Sequence, residues 1–202
     1  MIAIIDYDAG NIKSVEKALI YLGAECVITR DRDVIARAEK IVLPGVGNFG
    51  DAMEKLNGYG LSEVLREEVA NGKPLLGICL GLQLLFASSE ESPGVEGLNI
   101  LPGKILRIPD DEGRLKIPQI GWNSLSLDKE SRLFKGIREN EYVYFVHSYY
   151  LKADDESIVA ASTEYGTHIH AAVEKDNVFA CQFHPEKSSD AGLKILSNFI
   201  GL

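Results

Sequence analysis

The stretch "PLLGICLGLQ", residues 74–83, passes directly from an apolar strand into a helix. Its first part, residues 74–78, is the kind of short apolar run that forms a strand covered on both faces. A helix is predicted to begin at about Leu80. A strand that leads at once into a helix is the building unit of a parallel sheet, so this stretch indicates an α/β fold.

The same alternation extends through the first half of the chain. Apolar residues recur at helical spacing in residues 11–23 and 61–72, and each of these segments ends at a glycine. Short apolar runs predict further strands at residues 2–7, 26–30 and 40–45. Strands that alternate with helices in this way form a parallel sheet with helices on both faces.

After residue 100 the chain becomes rich in short β-type runs, such as "GKILRI", "EYVYFVHSYY" and "VFACQFH". Turns separate these runs, which indicates mixed or antiparallel additions to the sheet. An amphipathic helix, "DAGLKILSNFIGL", closes the chain, and no repeat or long linker divides it. We therefore predict one domain over residues 1–202. It is a three-layer α/β fold with a mostly parallel open sheet, helices on both faces and an added β-rich part.

The composition limits the possible partners and compartments. The 202-residue chain carries a formal net charge of −9, which argues against nucleic acid or an anionic membrane as its partner. No apolar run reaches the roughly 18 residues that a membrane span needs, and the start lacks the basic region of a signal peptide. Three cysteines without C-x-x-C spacing fit a reducing cytoplasm and give no structural zinc site. We expect a cytoplasmic protein that uses neither a metal nor a cofactor.

Cys79 lies at the junction of the predicted strand and helix, between Gly77 and Gly81. This G-x-C-x-G pattern is the thiol analogue of the nucleophile elbow, in which a strained turn projects the reactive side chain outward. The glycines leave room for neighbouring backbone, and the N-terminus of the helix favours a thiolate. The amide of Leu80 is then placed to bind an oxyanion. A small buried cysteine in an ordinary strand–helix turn is the alternative that this pentapeptide alone leaves open.

A base and a group to orient it occur together in "CQFHPEKS", residues 181–188. His184 ends an apolar strand, because Pro185 has no N–H with which to continue it. Glu186 lies two residues beyond His184, and residues two apart on an extended backbone point to the same side. These residues predict a triad of nucleophile Cys79, base His184 and orienting group Glu186. The simpler alternatives are a strand-end histidine and a solvated glutamate in a turn.

A glycine loop, "PGVGNFG" at residues 44–50, follows the third predicted strand and opens a helix. Gly45, Gly47 and Gly50 match the G-x-G-x-x-G of dinucleotide sites, but that pattern belongs to a first strand–helix unit with an acidic residue ending the next strand. Here the next strand ends in Cys79. We instead expect the loop to supply a second backbone N–H beside the cysteine. A tight turn that needs positive φ is the simpler alternative.

Taken together, these residues resemble the class I, triad-type glutamine amidotransferases. "GICLGLQ" and "QFHPEKS" carry this resemblance. Segments along the whole chain, among them "LPGVGNFGDAMEKL", "PQIGWN" and "YFVHSYY", resemble the glutaminase subunits of imidazole glycerol phosphate synthases. Asp8 departs from the glycine expected in "DYGxGN", which affects the first strand–helix loop, and Leu82 replaces a frequent methionine. The resemblance implies a flavodoxin-like open sheet.

The resemblance also implies a reaction, the hydrolysis of glutamine to glutamate and ammonia. Cys79 attacks the side-chain amide, His184 protonates the departing ammonia, and water then hydrolyses the glutamyl thioester. For Gln83 an exposed helix position, and for the "HSYY" segment a strand end with aromatic packing, are the alternatives to a role in binding. The residues that the resemblance assigns to the oxyanion and the glutamine are Gly45, Val46, Gly47, Leu80, Gln83, His147, Ser148 and Tyr149.

The chain has no phosphate-binding G-x-x-x-x-G-K-[ST] loop, so the ammonia must be used elsewhere. The resemblance implies a heterodimer with a (β/α)₈-barrel cyclase, which makes imidazole glycerol phosphate and aminoimidazole carboxamide ribotide in histidine biosynthesis. Trp122 is the only tryptophan, and it is either an interface anchor or a core aromatic. Lys187 either couples docking to the triad or is a solvated lysine. The implied docking residues are Asn11, Pro118, Gln119, Trp122, Asn123 and Lys187.

Three other functions compete with this interpretation. Glutaminases of anthranilate or aminodeoxychorismate synthases usually carry "GICLGHQ" and lack "PQIGWN", whereas this chain has Leu82 at the histidine position. A non-catalytic scaffold is disfavoured by the intact Cys79, His184 and Glu186. A cysteine peptidase of the related elbow-bearing fold is disfavoured by the spacing of "HPE".

Overall fold

The structure is a computed structural model that describes residues 1–110, 113–128 and 130–202. The strands are β1 (Ile2–Ile5), β2 (Cys26–Thr29), β3 (Lys40–Leu43), β4 (Leu75–Ile78), β5 (Ser88–Ser89), β6 (Gly103–Arg107), β7 (Gln119–Ser124), β8 (Ser126–Leu127), β9 (Tyr142–His147), β10 (Tyr149–Ala153), β11 (Val159–Glu164), β12 (His168–Lys175) and β13 (Val178–Cys181). The α-helices are α1 (Ile12–Tyr21), α2 (Arg32–Arg37), α3 (Phe49–Gly58), α4 (Leu61–Ala70), α5 (Leu80–Leu84) and α6 (Ser189–Ile200). Short 3₁₀ helices cover Glu156–Ile158 and Pro185–Lys187.

The main sheet follows the order β2-β1-β3-β4-β13-β12-β10-β6-β5. The strands from β2 to β13 in this order are parallel to their neighbours, as the predicted strand–helix alternation requires. β12, β10 and β6 then continue the sheet with antiparallel pairing. The prediction of a mostly parallel open sheet with a β-rich addition is therefore confirmed.

The core lies in two layers, one on each face of the sheet. Successive residues of a strand point to opposite faces, so β1 contributes Ala3 and Ile5 to one layer and Ile2 and Ile4 to the other. Helices α2 to α5 pack against the first layer, and α1 and α6 pack against the second. This arrangement confirms the prediction of three layers.

Two features differ from the sequence-based expectation. Helix α2 was not predicted, because its apolar residues Val34, Ile35 and Ala36 are consecutive and only Ile35 is buried, which gives no helical periodicity. A helix-start signal was nevertheless present, since the side chain of Asp31 accepts hydrogen bonds from the N–H groups of Asp33 and Val34. In addition, β7 and β9 do not join the main sheet but form a separate two-stranded antiparallel sheet.

The parallel strands bring the predicted site residues to one edge of the sheet. The loops that follow β1, β3, β4 and β13 all lie at the carboxyl ends of these strands, which is where open α/β sheets bind ligands. The described part of the chain contains no helix long and apolar enough to cross a membrane.

Candidate active site

The nucleophile elbow forms at Cys79 as the sequence indicates. Cys79 has φ 56° and ψ −109°, a strained backbone conformation for a non-glycine residue. Its N–H donates to the Cys181 carbonyl at 2.8 Å, which ties the elbow to β13. A Cβ atom on Gly81 would lie 1.8 Å from the Leu43 carbonyl oxygen, and one on Gly77 would lie 2.8 Å from the Gly81 carbonyl oxygen. Both flanking glycines are therefore required by close backbone approach.

His184 and Glu186 lie together beside the elbow. The Nδ1 atom of His184 is 2.8 Å from Oε1 of Glu186, and both side chains are fully buried. Burial opposes protonation, but the neighbouring Cys79 and Glu186 outweigh it and raise the pKa of His184 to about 9. The backbone route differs from the expected one. Pro185–Lys187 forms a 3₁₀ turn rather than an extended strand, and this turn brings the carboxylate back to the imidazole.

Asn11 contacts this pair directly, although the resemblance assigns it only to the docking face. Its side-chain amide donates to Oε1 of Glu186 at 2.6 Å and lies 3.4 Å from Nδ1 of His184. Asn11 has φ 67° at the start of α1, a left-handed conformation that asparagine tolerates better than most residues. The first strand–helix loop therefore reaches the predicted triad. In that loop, the carboxylate of Asp8 is bound by Arg30 and Tyr59.

A cavity of about 260 Å³ opens beside Cys79. Two lining residues, Glu91 and Val146, were not identified from the sequence. Glu91 accepts the N–H of Phe49 at the start of α3, at 2.8 Å. The predicted residues that line this cavity are Val46, Gly47, Cys79, Leu80, Gln83, Pro118, His147, Ser148 and Tyr149.

Two buried glutamine side chains connect this cavity to the sulfur of Cys79. Nε2 of Gln83 donates to the Tyr149 carbonyl at 3.1 Å and to Oε1 of Gln182 at 3.0 Å. Nε2 of Gln182 lies 3.8 Å from the Cys79 sulfur. Nδ1 of His147 is 2.8 Å from the same Tyr149 carbonyl, and burial lowers the pKa of His147 to about 4. Gln182 was not identified from the sequence, although it immediately precedes the "FHPE" segment.

The amide that was expected to bind the oxyanion is paired within the chain. The Leu80 N–H donates to the Gly45 carbonyl at 3.3 Å. The hydroxyl of Tyr7 fixes the preceding residue by donating to the Pro44 carbonyl at 2.8 Å. A Cβ on Gly45 would lie 2.2 Å from this hydroxyl, so only glycine fits there. Gly45 is not among the residues that line the cavity, although its carbonyl is hydrogen-bonded to the lining residue Leu80.

The residues assigned to docking fall into two groups. Trp122 is 52% exposed and Lys187 is also exposed, which excludes the core alternative for the tryptophan. Asn123 is partly buried and donates to the Glu164 carbonyl at 3.0 Å. By contrast, the side chain of Gln119 is buried, and it lies 2.9 Å from Nε2 of His147. Pro118 is exposed at the mouth of the cavity.

Comparison with known families identifies the chain. The family model for class I glutamine amidotransferases matches residues 3–201. The chain belongs to this family.

Among the described residues, no group of three or more His, Cys, Asp or Glu side chains is arranged to hold a metal ion.

Relatives within the class I glutamine amidotransferases share half of the sequence. The imidazole glycerol phosphate synthase subunit HisH of Methanothermobacter thermautotrophicus is 50% identical over 99% of this chain and 98% of its own length. The protein of the same name from Caldanaerobacter subterraneus subsp. tengcongensis is 51% identical over 98% of this chain and 97% of its own length.

Solved structures share the fold at lower identity. A crystal structure of a glutamine amidotransferase superposes with a TM-score of 0.76 at 20% identity, over 99% of both chains. The structure of PurLQS from Thermotoga maritima gives a TM-score of 0.75 at 21% identity, over 99% of this chain and 97% of that one. At these identities the likeness establishes the fold alone.

Proposed function

We propose that this chain is the glutaminase subunit of an imidazole glycerol phosphate synthase in histidine biosynthesis. It hydrolyses glutamine to glutamate and ammonia, and the ammonia passes to a cyclase subunit. The observation that carries the proposal is the contact of His184 with Glu186 beside an elbow cysteine, in a chain half identical to proteins named HisH.

The first half of the reaction uses Cys79 and His184. The sulfur attacks the side-chain carbonyl carbon of glutamine, and the C–N bond breaks as the imidazolium of His184 gives its proton to the leaving nitrogen. A His184 with a pKa of about 9 is protonated at neutral pH and is therefore able to supply this proton. In the second half, neutral His184 takes a proton from water, which attacks the thioester and releases glutamate and the thiolate.

Substrate recognition rests on the residues around the cavity. Both amide hydrogens of Gln83 are used by Tyr149 and Gln182, so its carbonyl oxygen remains to accept a hydrogen bond from glutamine. The carboxylate of Glu91 is the charged group suited to the α-ammonium of an amino acid. His147 and Ser148 also line the cavity.

Oxyanion binding requires a change in the glycine loop. The Leu80 N–H is already hydrogen-bonded to the Gly45 carbonyl. A carbonyl oxygen in the place where the oxyanion would bind repels it. Turning the backbone of residues 45–47 frees this N–H and offers a second one from the loop. Gly47, with φ 104°, supplies the conformational freedom for the turn. We expect weak glutaminase activity for the chain alone for this reason.

The cyclase docks on the exposed face of the β7–β9 sheet. Ile120, Trp122 and Tyr142 are all more than half exposed on this face, and such an apolar patch is typical of an interface. Strand β9, which carries Tyr142, also contacts the triad, since the Tyr144 carbonyl accepts a hydrogen bond from the His184 N–H at 2.9 Å. Lys187 lies in the turn that carries Glu186 and follows His184. We propose a cytoplasmic heterodimer with a (β/α)₈-barrel cyclase.

Glutamate release from glutamine tests this function. We expect slow release by the chain alone and strong stimulation by a co-expressed cyclase that holds its nucleotide ligand. The Cys79→Ala variant in the same complex is the control. It should lose glutamine-dependent cyclisation and keep the ammonia-dependent reaction, since the cyclase is unaltered. Equal glutamate release with and without the cyclase would contradict the proposed coupling, and full release by Cys79→Ala would contradict the assigned nucleophile.

A matched pair of variants tests the docking face. Trp122→Ala removes an exposed anchor and should weaken cyclase binding by about tenfold or more, as loss of an interface tryptophan usually does. Ile20→Ala removes an equally exposed apolar side chain on α1 and should leave binding unchanged. Titration with the purified cyclase measures both. Equal affinities of the parent and Trp122→Ala would place the interface elsewhere.

A further inference from the structure

Gln182 is buried against the sulfur of Cys79, in a position that the triad mechanism does not use. Its side chain has no solvent exposure, and its Nε2 atom lies 3.8 Å from Sγ. The Val146 carbonyl lies 3.9 Å from the same sulfur, and His184 is its partner in the triad. Gln182 and Val146 are the two contacts outside the triad. These two groups differ in what they offer to sulfur, because a carbonyl only accepts and an amide nitrogen only donates.

The orientation of the Gln182 amide follows from its partners. The Tyr149 backbone carbonyl is an acceptor with a fixed direction, so the Gln83 amide must point its nitrogen at it. The same nitrogen also donates to Gln182, so the side-chain oxygen of Gln182 must be the acceptor. The NH₂ end of Gln182 is left facing the Cys79 sulfur. A backbone carbonyl thus sets the direction of the whole chain of contacts, and neither amide is free to flip.

We propose that Gln182 is a positioning residue that holds the Cys79 sulfur in place and stabilises its thiolate. The thiol donates its S–H to the Val146 carbonyl, whereas the thiolate accepts an N–H from Gln182. When the sulfur loses its proton, its hydrogen-bond partner therefore changes from the Val146 carbonyl to the Gln182 amide, and the backbone does not need to move. The bond also holds the sulfur in line with the cavity where glutamine binds. Gln182 thereby connects the nucleophile to Gln83, the residue that contacts the substrate.

Other ionisable groups also act on this sulfur. Tyr7, Cys181 and His184 interact electrostatically with Cys79, and Glu186 acts through His184. A substitution at Gln182 leaves all four of these groups in the protein. A difference between the variant and the parent in the pH at which Cys79 becomes reactive is therefore due to the missing Gln182 donor. This inference depends on the proposed function only for the role of Cys79 as nucleophile.

The test measures the rate of iodoacetamide alkylation of Cys79 against pH, in the complex with the cyclase and without glutamine. Gln182→Met keeps the length of the side chain and removes the donor. Loss of one hydrogen bond to a charged group should raise the midpoint of the profile by about one pH unit and lower the alkylation rate by about tenfold at pH values below that midpoint. Glutamate release should show a similar fall in kcat with little change in KM.

Gln83→Met is the companion variant, because it removes the partner that fixes the Gln182 amide, so that the NH₂ end of Gln182 is no longer held at the sulfur. It should raise KM for glutamine and shift the alkylation midpoint in the same direction as Gln182→Met, by a smaller amount. If Gln182 is only a packing residue, both variants lose thermal stability and neither shifts the midpoint, which would overturn the proposal. Gln182→Asn, which withdraws the donor while staying polar, takes the place of Gln182→Met if that variant does not fold, and the same shift of the midpoint is expected. Failure of glutamate release in the parent would instead reject the proposed function.

Discussion

At the scale of single residues, the buried pair of His184 and Glu186 controls the proton that the reaction needs. Both side chains are fully buried, and the carboxylate shares its Oε1 atom between His184 and Asn11. Burial opposes protonation of His184, but the charge of Glu186 helps to raise the pKa of this histidine, and the contact at Nδ1 orients the imidazole. Proton transfer therefore depends on the carboxylate charge as well as on its position.

Glu186→Gln removes that charge and keeps the shape of the side chain. The glutamate release rate of the complex should fall by about 100-fold or more, the usual size of a general acid–base contribution. The pKa of His184 should also fall, because Glu186 is one of the groups that raise it. The alkaline limb of the activity profile should accordingly move to lower pH. An unchanged rate and profile would show that the carboxylate does not act on His184.

Asn11→Gly tests the second donor to Glu186. Glycine accepts the left-handed backbone at this position, so the variant removes only the amide. At saturating cyclase, kcat should fall by about tenfold, the effect of losing one hydrogen bond to a charged group. The dissociation constant for the cyclase, measured separately, shows whether docking changes too. A weaker complex with unchanged kcat would make Asn11 an interface residue only.

The sequence predicted Cys79, His184 and Glu186, gave Asn11 a docking role only, and missed Gln182, for a physical reason. Cys79, His184 and Glu186 lie in two short segments whose glycine and proline residues restrict the backbone in recognisable ways. Gln182 and Asn11 act through side-chain contacts across 103 and 175 positions of the chain. No local pattern encodes such contacts, so only the folded arrangement of the strands reveals them.

At the scale of elements, the elbow depends on the close approach of α5 to the end of β3. Gly81 lies so near the Leu43 carbonyl that any side chain would displace one element from the other. Cys79 is two residues away and is held to β13 by its own N–H. A shift of α5 therefore changes the direction in which the sulfur points.

Gly81→Ala should lower the free energy of unfolding by about 3 kcal/mol or more, because the new methyl group overlaps backbone that cannot move aside cheaply. Gly58→Ala is the matched control in α3. No neighbouring atom lies within 4 Å of a Cβ at that position, so helix propensity should raise stability by up to about 1 kcal/mol. Urea unfolding of both variants measures the difference. Equal stabilities would mean that α5 moves freely.

Strands and helices were predicted most accurately where the pattern of apolar residues is simple, either a continuous run or a regular helical spacing. The strands of the parallel half were predicted because continuous apolar runs are typical of strands buried on both faces. The separate β7–β9 sheet was not predicted as such, since pairing of Gln119 with His147 joins runs that are far apart in the chain. Alternation shows that a segment is a strand, but it does not show which strand is its neighbour.

At the scale of the whole molecule, buried histidines make stability depend on pH. His147 has a pKa of about 4 in the folded protein and 6.5 as its ordinary value. Between these two pH values the unfolded chain binds a proton that the folded protein excludes. Stability therefore falls as pH drops from 6.5 to 4, by about 3 kcal/mol from this group alone. His184 acts in the opposite direction, and its contribution is lost as pH rises through about 9.

His147→Gln should remove the acid-side part of this dependence. The slope of unfolding free energy between pH 6.5 and 4 should become shallower than in the parent, although both retain the slope from their carboxylates. Urea titrations at a series of pH values measure the two slopes. Parallel curves would show that His147 is protonated in the folded protein as readily as in the unfolded chain.

The central claim is that glutamine is attacked by the sulfur of Cys79, and labelling by an electrophilic glutamine analogue tests it most directly. A diazoketone in place of the side-chain amide traps the attacking atom as a stable thioether, which peptide mapping by mass spectrometry then locates. We predict an adduct on Cys79, slowed by excess glutamine and matched by loss of glutamate release. An adduct on Cys26 or Cys181 instead, or full glutamate release by chains labelled at Cys79, would contradict the claim.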